Sequence, residues 1–131
     1  MKTKRIITVC LFLLAAWSGL CFARSDTQIY RNEECVYWAD ASTLEQISGS
    51  VYEIWVGIEY YDETIPKTII IEHMDMNRRM YSIKRMFYRE GSQEVELPLE
   101  GEGEWYSFQP DSMDEALYDF IYANLRRRGK L

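Results

Sequence analysis

Between Ser50 and Tyr61 the chain alternates with a period of two: Tyr52, Ile54, Val56, Ile58 and Tyr60 share one parity, while Glu53, Gly57 and Glu59 share the other with Trp55. Successive side chains of an extended strand point to opposite sides, so this run has one apolar side that must be covered and one that faces outward. Five further runs have β-type composition, rich in Tyr, Val, Ile, Trp and Met: residues 28–31, 35–40, 67–74, 79–89 and 93–97. Breakers separate them at Asn32, Ser48-Gly49, Pro66, Asn77, Gly91 and Gly101 to Gly103. Connections this short suit hairpins, which predicts an antiparallel meander rather than a parallel sheet. In the fifth run Tyr81, Ile83 and Phe87 are expected on one side, opposite Ser82 and Lys84.

The period changes after Pro110-Asp111. Met113, Ala116, Leu117, Phe120, Ile121 and Leu125 recur at steps of three and four, the stripe of an amphipathic helix. Ser112 and Glu115 have the spacing of a capping box, Asp114 and Glu115 sit at the positive end of the dipole, Arg126 to Arg128 sit at the negative end, and Gly129 is a stop. The Arg triplet reads as a solvated helix end complementing the dipole, with a docking patch as the alternative. The expected fold is α+β: an antiparallel sheet of about six strands with the C-terminal helix packed on one face, against Ile54, Val56 and Ile58.

The N-terminus has a different plan. Lys2, Lys4 and Arg5 precede an uncharged apolar run from Ile6 to Ala16 and a short stretch ending Leu20-Cys21-Phe22-Ala23, the three parts of a secretory signal peptide. The run reaches the roughly 20 residues of a spanning helix only if Trp17 to Ala23 are included. Residues 1–23 are therefore expected to be cleaved, with an uncleaved anchor as the alternative; a lipid-modified Cys21 is disfavoured by Leu20, where such sites need a small residue. Residues 24–131 then form a single small domain with no integral membrane segment. The leader takes three of the 15 Lys and Arg and none of the 21 Asp and Glu, so the remaining domain carries a formal charge of −9. Nucleic acid and anionic membrane surfaces reward basic faces and are disfavoured partners. Cys35 is the one cysteine after the leader, and a buried thiol in a strand is favoured over a bridge to another chain.

The residues offer little chemistry. His73 is the sole histidine, and of the neighbouring Glu72, His73 and Asp75 only the last two share a strand face, too few to hold a metal. A serine or cysteine nucleophile would need His73 as base and an oriented third group, and no Gly-x-Ser-x-Gly elbow presents one. Paired carboxylates at Asp62 with Glu63, or Glu102 with Glu104, read as solvated acidic loops, and no glycine loop cradles a phosphate. No catalytic, metal or cofactor residue is assigned. Trp55, on the parity opposite the core, is the candidate contact patch, the alternative being an aromatic covered by a loop.

Four segments occur in a telling order: Tyr37-Trp38-Ala39-Asp40-Ala41-Ser42-Thr43-Leu44, Val51 to Val56 with Trp55, Tyr88-Arg89-Glu90-Gly91, and Trp105-Tyr106-Ser107-Phe108-Gln109-Pro110-Asp111-Ser112. From about Ile29 to Tyr122 the chain resembles the surface-adhesin protein E family of small exported bacterial proteins. That family also carries two cysteines, at positions that correspond here to the neighbourhoods of Met76 and Tyr122, so its disulfide is missing. The resemblance implies surface display and binding of extracellular proteins, and it transfers no binding residue. Together these readings predict a non-enzymatic, exported binding module acting in the periplasm, at the cell surface or after secretion, with an extracellular or envelope protein as partner and no cofactor. The rivals are a small envelope hydrolase using paired carboxylates and a purely structural envelope component.

Overall fold

The computed structural model describes residues 26–101 and 103–131; the expected leader, residues 1–23, lies outside them. Strands β1 (Asp26–Arg31), β2 (Cys35–Ser48), β3 (Val51–Tyr60), β4 (Thr68–Asp75), β5 (Met80–Glu90) and β6 (Gln93–Leu97) pair antiparallel in chain order. A seventh, β7 (Tyr106–Ser107), pairs with β5, and one helix, α1 (Met113–Arg127), follows. The expectation of about six strands is thus overturned: the described residues form mostly a seven-stranded antiparallel sheet, with a single helix among them. β7 forms because β6 covers β5 only from Met86 to Glu90, which leaves the backbone of Met80 and Tyr81 to pair with Ser107 and Tyr106. Two residues show no alternation, so the sequence pattern cannot reveal such a strand.

Two bulges correct the predicted strands further. β2 does not end at Asp40 but continues to Ser48 through a register shift between Asp40 and Glu45. The Asp40 carboxylate accepts from the backbone N–H and hydroxyl of Ser42 (3.0 and 2.6 Å), and Thr43 Oγ1 donates to Asp40 O while accepting from Trp55 N, so local side chains close the bulge. In β5 the shift falls where Ile71 pairs with Arg85 but Glu72 pairs with Ile83. The extra residue reverses the parity beyond it. Tyr81 and Ile83 face the core as expected, whereas Phe87 pairs with Ile69 on the opposite side and Met86 turns inward.

Tyr37, Ala39, Tyr52, Ile54, Val56, Ile58, Ile70 and Met74 line one face of the sheet, and Leu117, Ile121 and Leu125 of α1 close over it. Ser112 caps the helix, accepting from Glu115 N at 3.3 Å; the Glu115 carboxylate reaches Asp111 N rather than the Ser112 N–H that a capping box uses. At the far end Gly129 (φ 72°) donates to Arg126 O and Lys130 to Leu125 O, a Schellman closure. The helix is pinned at both ends. Tyr118 donates its hydroxyl to Met76 O while the Arg79 guanidinium lies over the Phe108 and Tyr118 rings (5.3 and 4.5 Å). Arg128 donates to Leu44 O and Ala41 O in the β2 bulge, so the solvated reading of the Arg triplet fails at its last member.

Phe120 is only half buried, and the fully buried positions of the stripe are Leu117, Ile121 and Leu125. Leu117→Ala is therefore expected to cost about 2–5 kcal/mol, the usual range for emptying a buried leucine site. Asp119→Ala, at an exposed position, should stay within about 0.5 kcal/mol. Equal urea midpoints for the two variants would remove α1 from the core.

Candidate functional site

The two sides of the sheet differ in chemistry. On the side away from α1, strand register aligns Trp38, Gly57, Ile69 and Phe87 in one row and Asp40, Trp55, Ile71 and Arg85 in the next. Gly57 leaves a gap that the Lys67 stem fills: a Cβ built there would stand 3.4 Å from Lys67 Cε. Trp55 is 41% exposed. Asp40, Glu53 and Glu59 surround this aromatic and aliphatic strip on the β2 and β3 half, while Arg85 and Arg89 on the other half are tied to Glu96 and Glu94.

A third row on this side is Glu53, His73 and Ser82, one residue from each of β3, β4 and β5. His73 is therefore not the isolated strand histidine that its lone occurrence suggests, since its Nε2 lies 2.9 Å from Glu53 Oε2. The residue types match a nucleophilic triad, but the geometry does not. Ser82 is completely buried and its Oγ has no hydrogen-bond partner among the described residues, so the imidazole cannot take its proton and no substrate can reach it. Asp75 is likewise unavailable to share a ligand with His73: its carboxylate organises the β4–β5 turn, accepting from Ser50 Oγ and from the N–H groups of Asn77 and Arg78. Among the described residues no three His, Cys, Asp or Glu side chains gather as a metal site.

The proposed carboxylate pairs do not converge. Asp62 is a turn residue, exposed and holding Thr64 by two hydrogen bonds that keep its carboxyl below the usual range. Glu104 accepts from the Tyr106 hydroxyl at 2.7 Å, and Glu102 lies outside the described residues. The structure instead pairs two acids that the sequence reading left apart, Glu72 and Asp114. Glu72 projects from β4 into the helix-covered core, 3% exposed; burial first, and then Asp114 in the first turn of α1, push its carboxyl well above the usual range. The missed signal was parity: Glu72 lies two residues from both Ile70 and Met74, which places a carboxyl on the apolar side of its strand.

A half-open cleft of about 250 Å3 lies beside β5, lined by Tyr81, Ile83, Leu99, Glu100, Gly101 and Tyr106. One carboxylate borders it. Glu72 and Asp114 are not in its lining. Cys35 is buried, and burial pushes its thiol up, away from the reactive thiolate. A fluorophosphonate, which labels activated serines, should consequently leave Ser82 of the folded protein unmodified; a phosphonylated Ser82 peptide in a mass spectrum would reinstate the triad.

Comparison with protein-family models, with curated proteins and with solved structures finds no match, so function has to be argued from these residues.

Proposed function

We propose that this chain is an exported, non-enzymatic module of the bacterial envelope that binds a protein partner through the helix-free face of its sheet. The observation that carries this reading is Trp55, 41% exposed, beside the partly buried Trp38, Ile69 and Phe87 on the face of the sheet opposite α1. Large aromatics on a flat surface give contact area at little entropic cost and are favoured anchors of protein interfaces. Asp40, Glu53 and Glu59 around Trp55 select for a partner that surrounds an apolar insert with basic side chains. The resemblance to the surface-adhesin protein E family points to the same class of activity. The hydrolase reading finds less to rest on among the described residues, where Glu72 is 3% exposed and the cleft is lined by one acid, Glu100.

Two measurements test the proposal. The protein recovered from the cell envelope should begin at Arg24 by intact mass, and a species retaining residues 1–23 or carrying a diacylglyceryl group on Cys21 would overturn export by cleavage. A photo-crosslinking residue in place of Trp55 should capture one discrete partner in whole cells, less so as salt is raised, while the same residue in place of the exposed Tyr122 on α1 should not. Equal capture from both positions would show that the helix-free face is not the binding surface.

A further inference from the structure

The outer edge of β5 has a gap. β6 pairs with β5 at Met86 to Glu90 and β7 pairs with it at Met80 and Tyr81, so Ser82 to Arg85 have no strand neighbour on that edge among the described residues. The cleft of about 250 Å3 lies here. Tyr81, Ile83 and Tyr106 line it from the strands, and Leu99, Glu100 and Gly101, from the connection between β6 and β7, complete the lining. Tyr81 and Ile83 have the parity of the helix-covered side, so the cleft is separate from the strip around Trp55 and from the partner surface proposed there.

Two aromatic rings form a corner in this lining. Tyr81 and Tyr106 meet at 39° with centroids 5.7 Å apart, tilted rather than stacked. The Tyr106 hydroxyl donates to Glu104 Oε2 at 2.7 Å, which commits its proton to a carboxylate and leaves the ring electron-rich. Gly101 makes room for this bond: with φ 73°, a Cβ there would stand 3.0 Å from both Glu104 Oε2 and Tyr106 Oη. Ile83 and Leu99 supply aliphatic surface, Glu100 supplies the one charge, and no Lys or Arg is in the lining. The cations of β5 and its preceding turn are engaged elsewhere: Arg78 and Lys84 at the Trp105 ring, Arg79 over Phe108 and Tyr118, and Arg85 with Glu96.

Electron-rich ring faces attract a cation, aliphatic walls receive its methyl groups, and a carboxylate beside them balances its charge. We propose that the cleft is a binding site for a small organic cation, a methylated ammonium seated against Tyr81 and Tyr106 with Glu100 as its counter-charge. At about 250 Å3 the cleft falls just short of the range, from about 300 Å3, of pockets that take drug-sized ligands, so it suits a compact head of this kind. A free ammonium is favoured over one that carries a phosphate, because the phosphate would be brought towards Glu100 and Glu104 with no basic side chain in the lining to receive it.

Titration of the purified protein with choline, followed through the ring resonances of Tyr81 and Tyr106 and the methyl resonances of Ile83 and Leu99, tests the assignment. Saturable shifts should be confined to these residues and their neighbours. The uncharged dimethylbutanol of the same shape should bind at least about fivefold more weakly, since it forfeits the cation–π contact. Phosphocholine should also bind more weakly than choline. Glu100→Gln, at an exposed position, should weaken choline about twofold to fivefold, the usual worth of an exposed ion pair, and leave the alcohol unchanged. Trp55→Ala, on the opposite face, should leave choline binding in place, which keeps this test independent of the one for the partner surface. Absence of a saturable shift, equal affinity for choline and the alcohol, phosphocholine binding as tight as that of choline, an unaltered choline affinity in Glu100→Gln, or its loss in Trp55→Ala would each overturn the assignment.

Discussion

The seating of Leu117, Ile121 and Leu125 on Ile54, Val56 and Met74 is the contact from which the rest of the molecule takes its sense. A sheet that meanders in chain order has two equivalent sides until something covers one of them. Once α1 lies across it, one side becomes a core and the other a surface, and every alternating strand has its parity assigned. A helix of 15 residues is marginal by itself in water, so the dependence is mutual. With no disulfide among the described residues, cohesion rests on this packing and on the groups that fasten the two helix ends.

Those fastenings draw on irregular backbone. The β2 bulge offers Leu44 O and Ala41 O to Arg128, carbonyls that a regular ladder would have consumed. At the opposite corner Arg79 adopts φ 55°, an uncommon conformation for a residue with a Cβ, and its guanidinium meets Phe108 and Tyr118. The segment from Asp40 to Leu44 thus has a structural role: it locks the bulge with its own side chains and receives the end of the helix.

The regular parts of this architecture were legible in the sequence, and the irregular parts were not. Alternation from Tyr52 to Tyr60 and the stripe from Met113 to Leu125 are periodic signals, and both led to the correct core. A bulge has no period. The extra residue in β5 moved Phe87 to the surface side, and the bulge in β2 hid eight further residues of strand. Pairing with a gap in a neighbour's ladder, which creates β7, depends on where β6 ends rather than on what Tyr106 and Ser107 are. The exposure of Trp55 on the side away from α1 was legible from parity alone. The Glu53–His73 contact and the Glu72–Asp114 pair were not, because each joins residues whose proximity is fixed by register or by helix placement.

Charge divides along the same lines as burial. The basic side chains near β5 are occupied: Arg85 with Glu96, Arg89 with Glu94, and Arg78 and Lys84 against the Trp105 ring. Asp40, Glu53 and Glu59 on the β2 and β3 half meet no such set of cations; His73 beside Glu53 is the one basic group that the described contacts bring to them. A second copy of the chain would bring the same acids to the same strip, and like charges across an interface cost rather than stabilise. The strip around Trp55 is bordered by acids on its β2 and β3 half and by ion-paired arginines on its β5 half, an asymmetry set by which strands the register brings together.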